Sequence, residues 1–261
     1  MLPEPTIVLD KVRLAFGQKT VLQEVSLAIE QGETMVVIGP SGSGKSTILR
    51  LIIGLLNPSA GEIRVQGEAV AAYGEEEWNR LRKKMGMVFQ YSALFDFMSV
   101  GENIAFGLRQ HTGKTEAEIR EIVLHMLEIV GLKGQENVMP ANLSGGMKKR
   151  VSLARAIAVQ PDIVLYDEPT AGLDPIMSEV INDLIVQARD EFGMTSVVVT
   201  HDMDSAFRVA DRIAMLYDGR IIAVGTPEEI RQSTDERVRK FVHAGRAPAL
   251  NIKEDEHEAQ Q

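Results

Sequence analysis

The 261-residue sequence has no cysteine, which excludes disulfide bonds, thiolate metal sites and a cysteine nucleophile. It also lacks an excess of positive charge: 28 lysines and arginines stand against 37 acidic residues, for a formal net charge of −9. Binding to nucleic-acid phosphates normally needs a basic surface, so we predict no nucleic-acid partner. No apolar run approaches the roughly 18 residues of a membrane span. Met1 to Pro5 lack the basic and apolar regions that begin a signal peptide, and we expect a soluble protein that reaches a membrane only through a partner.

The most informative stretch that is present fits the phosphate-binding pattern G-x-x-x-x-G-K-[ST]. Glycine lets backbone N–H groups approach a polyphosphate closely, and the N-terminus of the following helix adds positive charge. Lys45 would supply a point charge for the β- and γ-phosphates, and the Ser46 hydroxyl is placed to bind Mg²⁺. The loop consists of Gly39, Pro40, Ser41, Gly42, Ser43, Gly44, Lys45, Ser46 and Thr47.

The surroundings of this loop distinguish a nucleotide site from a glycine-rich turn that matches by accident. A short apolar strand, 34–38, runs into the loop, and a helix follows it with an apolar face that includes Ile48 and Ile52. This strand–loop–helix order is the context that the pattern requires. We therefore predict a nucleotide site with Mg²⁺.

The rest of the chain predicts an α/β fold. An alternating pattern favours an antiparallel strand pair, and short continuous apolar runs favour buried core strands. Those strands are 6–16 and 20–29 for the pair, and 163–167 and 196–200 for the core. Residues 91–158 differ: a capping box at Thr115 begins one helix and a second helix follows Ser144, which indicates a helical insertion.

Two carboxylates, Asp167 and Glu168, end the predicted strand 163–167. An acidic strand end is by itself a common turn. After a phosphate loop it is typical of the Walker B strand, in which the first carboxylate holds Mg²⁺ and the second accepts a proton from the attacking water as general base.

Together these motifs resemble the ABC ATPases. The stretch 143–147, Leu-Ser-Gly-Gly-Met, is similar to the signature motif of that family, normally written LSGGQ. It precedes the Walker B strand, and the stretch 171–174 resembles the D-loop. The resemblance runs from Val8 to Thr226 with every motif in order. It implies a P-loop NTPase (RecA-like) core with an antiparallel β subdomain and an inserted α-helical subdomain.

The resemblance also implies roles for single residues. Gln90 would be the Q-loop residue, which touches Mg²⁺ or the attacking water, and His201 would contact the γ-phosphate of ATP. Phe16 would stack on adenine, although it could instead pack in an edge strand. The signature residues would close over ATP bound to the opposite subunit of a head-to-tail homodimer. Those signature and D-loop residues are Ser144, Gly145, Gly146 and Asp174.

One departure from the family pattern is Met147, which stands where the usual glutamine would offer an amide to the partner subunit. Ser144 and Gly146 remain, so the resemblance still implies hydrolysis. The segment 94–103 follows the Q-loop, where transporter ATPases receive their membrane permease. With the run 143–150, it is similar to the ATPase subunit of MCE-linked lipid transporters. This implies permease subunits, an MCE-domain lipid-binding partner and a place on the cytoplasmic face of the membrane.

Several alternatives remain open at this point. The chain could serve an importer of a polar solute, act on DNA or the ribosome, or be a non-catalytic cassette. The paired cassettes or long insertions usual for the second class are absent, and the catalytic residue types argue against the third. We predict one domain over 1–245, with a core of 1–90 and 159–245 and a helical subdomain of 91–158. The acidic residues 246–261 predict a disordered tail.

Overall fold

The computed structural model describes residues 4–244, in which ten strands form two sheets and nine α-helices pack on both faces of the larger sheet. Within this range no helix is both long and apolar enough to cross a bilayer. The strands are β1 Ile7–Phe16, β2 Lys19–Ile29, β3 Thr34–Ile38, β4 Ala60–Val65, β5 Glu68–Ala69, β6 Met85–Val88, β7 Ile163–Asp167, β8 Thr195–Thr200, β9 Arg212–Tyr217 and β10 Arg220–Gly225. The helices are α1 Lys45–Ile52, α2 Glu75–Arg82, α3 Val100–His111, α4 Glu116–Ile129, α5 Gly145–Ile157, α6 Pro175–Phe192, α7 Met203–Val209, α8 Pro227–Arg231 and α9 Glu236–Ala244.

The central sheet has six strands in the order β10-β9-β3-β8-β7-β6. All neighbouring pairs are parallel except β10 with β9. Every residue of β3, β7 and β8 is buried, which explains their continuous apolar runs. In register, Ile38 of β3 lies beside Thr200 of β8, and Asp167 of β7 lies beside Val199. The loops after these three strands therefore leave the sheet at the same edge.

Two hydrophobic cores lie on opposite faces of this sheet. Alternate residues of a strand face opposite sides, so β3 places Val36 and Ile38 in one core and Met35 and Val37 in the other. The first core packs against helices α3 to α9. The second packs against α1, α2 and the antiparallel sheet β2-β1-β4-β5. The P-loop NTPase core and the antiparallel subdomain predicted from the sequence are both confirmed.

The helical region contains α3, α4 and α5, and the capping box predicted at Thr115 is present. Sequence reasoning missed α3, although Ser99 and Glu102 form a capping box at its start. It also missed α9. The subdivision at residues 91 and 158 stays a prediction, and the tail 246–261 lies outside the described residues.

Candidate functional site

The phosphate loop joins β3 to α1 in a backbone path that glycine makes possible. Gly39 has φ 152° and Gly44 has φ 105°, a region that other residues rarely adopt. A Cβ on Gly39 would lie 2.1 Å from the main-chain oxygen of Leu216, so no side chain fits there. The hydroxyl oxygen of Ser43 is buried and has no hydrogen-bond partner among residues 4–244. An uncommitted buried donor inside a glycine-lined loop fits an anion such as a phosphate.

Lys45 is buried at the N-terminus of α1 and holds the loop closed. Its Nζ donates to the carbonyl oxygens of Gly39 at 2.8 Å and Pro40 at 3.1 Å. It also lies 3.8 Å from Oε1 of Glu168. Burial lowers the pKa of the ammonium, and the charges of Glu168 and Asp167 oppose that shift. A bound phosphate would add a negative charge beside a cation that has lost much of its hydration.

Ser46 and Asp167 bring together two oxygens suited to a hard cation. The Ser46 hydroxyl donates to Oδ1 of Asp167 at 2.7 Å, across 121 residues of chain. Hydroxyl and carboxylate oxygens are the ligand types that Mg²⁺ takes alongside substrate phosphates and water. The pair therefore fits a Mg²⁺ ion bound next to the phosphate loop.

Glu168 follows β7 with φ 48°, a left-handed conformation that is uncommon for a residue other than glycine. Its Oε2 accepts hydrogen bonds from the Thr200 hydroxyl at 3.2 Å and from His201 Nδ1 at 2.9 Å. A carboxylate only accepts, so Nδ1 of His201 carries the proton. The two residues that sequence reasoning assigned to general-base and γ-phosphate roles are thus in direct contact.

One cleft of about 310 Å³ lies beside the phosphate loop. Its lining includes six predicted site residues from the loop, together with Gln90, Glu168 and His201. The six are Ser41, Gly42, Gly44, Lys45, Ser46 and Thr47. Val21 of β2 also lines the cleft, which sequence reasoning missed because nothing in the strand pattern marks it.

An adjoining cleft of about 620 Å³ shares Ser41, Glu168 and His201 with the first one. Residues 171–173 of the D-loop stretch form part of its wall, and so do Phe241 and Val242 of α9. The Glu168 carboxylate therefore also faces a second open space, beside residues 171–173.

Several predicted site residues do not line the nucleotide cleft. Asp167 is joined to it through the Ser46 hydroxyl, and the phosphate-loop residues Gly39, Pro40 and Ser43 do not line it either. Three further predicted groups lie apart from it. Phe16 is 53 % exposed at the end of β1, which excludes the alternative that it packs in the core. Ser144 is the exposed N-cap of α5, and its hydroxyl accepts from the Met147 N–H at 3.3 Å. Asp174 caps α6 by accepting from the Met177 N–H at 3.0 Å. Their roles in ATP binding stay predictions.

The segment after Gln90 is held firmly although it is a loop. Asn103 of α3 is fully buried, and its side chain accepts from the Phe95 N–H at 2.8 Å. Its amide donates to the carbonyl oxygens of Phe95 at 3.1 Å, Met98 at 3.1 Å and Ser99 at 3.0 Å. On this support Phe97 stands 76 % exposed. The loop therefore presents an exposed aromatic side chain on a backbone that Asn103 holds on both sides of Phe97.

The strand–loop–helix geometry, the buried lysine and the carboxylates on the neighbouring strand define a phosphate-loop nucleotide-binding protein. The profile of the family described as "ABC transporter" matches residues 22–171. The chain belongs to this family and is the ATP-binding, ATP-hydrolysing subunit of an ABC transporter.

Individual relatives agree with this placement. The chain is 43 % identical over 226 residues to the intermembrane phospholipid transport system ATP-binding protein MlaF of Haemophilus influenzae, covering 87 % of this chain and 86 % of that protein. It is 39 % identical over 245 residues to the probable ribonucleotide transport ATP-binding protein mkl of Mycobacterium tuberculosis, covering 94 % and 68 %. Among solved structures, a dimer of the ATP-binding cassette MJ0796 in a post-hydrolysis state with ADP and Pi superposes with a TM-score of 0.78. That cassette is 34 % identical, and the match covers 85 % of this chain and 98 % of the cassette.

Proposed function

We propose that the chain hydrolyses ATP with Glu168 as general base and drives a lipid transporter as a homodimer. The observation that carries the catalytic part is the contact of Glu168 with His201, next to the cleft that Lys45 and Ser46 line. In this arrangement Lys45 and the loop N–H groups bind the phosphates. His201 would steady the γ-phosphate and Gln90 the attacking water.

The proton transfer is assigned to Glu168 because this residue lines both clefts. Removing a proton from water as it attacks is worth about 10²–10⁴ in rate for a well-placed base. Mg²⁺ held by Ser46 and Asp167 would neutralise charge on the β- and γ-phosphates. Hydrogen bonds from Thr200 and His201 keep the carboxylate in one orientation.

A homodimer is supported because the signature residues of a chain lie outside that chain's own nucleotide cleft. Ser144, Gly145 and Gly146 form the N-terminus of α5, where backbone N–H groups suit an anion, yet none of them lines the nucleotide cleft. A second copy placed head to tail would bring them onto the phosphates. The dimer of the MJ0796 cassette supports this assembly.

The transported substrate is assigned as phospholipid or a related lipid. The support is the similarity to MlaF, together with the sequence of 94–103 and 143–150. In this assignment the chain lies on the cytoplasmic face of the membrane. There it binds permease subunits, through the loop that carries Phe97, and an MCE-domain lipid-binding protein acts with the complex.

Transport of a polar solute is the second candidate, and the name of the mycobacterial relative mkl favours it. Lipid transport and polar-solute transport are distinguished by identifying the membrane and envelope proteins that copurify with the full chain. An MCE-domain protein with bound lipid supports the first assignment. A solute receptor of the periplasmic type, without lipid, would replace it with the second.

The catalytic assignment is tested with Glu168→Gln, which keeps the shape of the side chain but removes its basicity. We expect turnover to fall at least about 10²-fold while ATP still binds and a nucleotide-locked dimer accumulates. The matched control is Glu121→Gln on the exposed face of α4, which should hydrolyse ATP at the native rate. Near-native turnover of Glu168→Gln would falsify the general-base assignment.

A further inference from the structure

Lys149 is a buried lysine on α5, one turn beyond the signature residues, and its sequence setting gives it no role in the site. Its Nζ donates to two main-chain carbonyl oxygens, those of Gln90 and of Glu168, the latter at 3.2 Å. A buried ammonium is costly unless its N–H groups are paired, and here carbonyls of two functional segments pair them. Burial lowers the pKa of Lys149, against the opposing charges of Asp167 and Glu168.

The contact with Glu168 falls on a strained part of the backbone. With φ 48°, Glu168 occupies a region that a side chain makes unfavourable, and such a conformation persists only when its surroundings hold it. Its N–H donates to Val199 O at 2.9 Å, and its carbonyl accepts from the Ala171 N–H at 3.2 Å. Lys149 supplies the remaining donor to that carbonyl. This backbone conformation in turn aims the carboxylate at His201.

The contact with Gln90 joins a second segment to the same ammonium. Gln90 follows β6, which pairs with β7 so that Val88 lies beside Tyr166. The segments that follow these two strands therefore both contact Lys149. Ser144, the N-cap of the same helix α5, is exposed. A displacement of α5 would move the donor away from both carbonyls.

We propose that Lys149 is a positioning residue for hydrolysis: it holds the backbone of Glu168 and makes the placement of that carboxylate depend on the position of α5. This inference rests on the proposed function of Glu168 as general base. Two hydrogen bonds from this one side chain connect α5 with Gln90 and Glu168. Binding of a second copy to the exposed N-terminus of α5 would thereby change the position of the Glu168 carboxylate.

The test compares Lys149→Met with Lys149→Gln in the full chain, purified with the membrane proteins that accompany it. Both variants remove the charge and have similar length, but only the glutamine amide donates hydrogen bonds. For Lys149→Met we expect kcat to fall about 10-fold, because small misplacements of a catalytic group are costly. ATP affinity should change less than about 2-fold, and Lys149→Gln should stay within about 3-fold of the native kcat.

A double-mutant cycle separates positioning of Glu168 from a general structural role. In a Glu168→Gln background, Lys149→Met should lower the residual single-turnover rate less than about 2-fold, because the group it positions is already inactive. A 10-fold loss in both backgrounds, or equal kcat values for the methionine and glutamine variants, would overturn the inference. So would native turnover of Lys149→Met when Glu168→Gln is inactive, and that result leaves the general-base assignment intact. Near-native turnover of Glu168→Gln would overturn both.

Discussion

Replacing Asn103 by alanine tests how the loop after Gln90 is held. The side chain makes four hydrogen bonds with main-chain groups of Phe95, Met98 and Ser99, and it has no exposed surface. The amide has only two hydrogens for three carbonyl oxygens, so the bonds amount to about three independent ones. Alanine would leave the Phe95 N–H without this partner.

The size of the effect follows from these bonds. A hydrogen bond within a protein contributes about 0.5–1.5 kcal/mol net, and a buried group left unpaired costs about 1–3 kcal/mol. Three bonds give a loss of roughly 3 kcal/mol in the free energy of unfolding. For a domain of this size, each kcal/mol lowers Tm by about 2–4 °C, so Tm should fall by roughly 6–12 °C.

The same change should separate ATP binding from communication with the permease. Asn103 lies outside the nucleotide cleft, so ATP affinity should stay within about 2-fold of the native value. A loosened loop would no longer fix Phe97, and stimulation of ATPase activity by the permease should drop at least about 5-fold. Thermal unfolding, nucleotide binding and ATPase rates with and without the permease measure the three quantities.

Asn79→Ala is the matched control, since Asn79 is exposed on α2 and its free energy of unfolding should change by less than about 0.5 kcal/mol. If Asn103→Ala melted at the native temperature, the four hydrogen bonds would contribute nothing net to the free energy of unfolding, and the reasoning would be refuted. If Tm fell while permease stimulation stayed normal, the loop would stabilise the fold without transmitting a signal.

Two further substitutions test the nucleotide cleft. Phe16→Ala should raise the Kd for ATP about 10-fold, because the half-exposed ring offers adenine a stacking face worth about 1–2 kcal/mol. Hydrolysis should be retained at saturating ATP. An unchanged Kd by equilibrium titration would show that Phe16 is not part of the site. Ser46→Ala removes the hydroxyl that lies 2.7 Å from Asp167 Oδ1, so the Mg²⁺ concentration for half-maximal ATPase should rise at least about 10-fold while ATP binding without metal persists. Equal Mg²⁺ dependence of the two proteins would argue against this metal site.

Local spacing explains which parts of the site were predictable. The phosphate loop is nine consecutive residues, and Asp167 and Glu168 directly end an apolar strand, so each motif is complete within a short stretch. The capping box at Thr115 likewise begins its helix as predicted. The helix α3 was missed even though Ser99 and Glu102 cap it, since Gly101 and Gly107 weaken its helical propensity.

Lys149 marks the limit of sequence reasoning most clearly. It lies in the run Lys148-Lys149-Arg150, where the sequence does not indicate which cation is buried. Packing of α5 against the core decides this, because it turns Lys149 toward the strand ends. Its acceptors are main-chain carbonyls, which leave no pattern in the choice of residues.

The sequence by itself determined the α/β class, the phosphate loop, the paired carboxylates and membership of an ATP-hydrolysing family, because each depends on residues close together in the chain. The tertiary structure decided which groups meet. Strands β3, β7 and β8 are far apart in sequence yet adjacent in the sheet, so the contact of Ser46 with Asp167 spans 121 residues and that of Glu168 with His201 spans 33. Strand order depends on where each crossover packs its helix, and that is settled by burial over the whole chain.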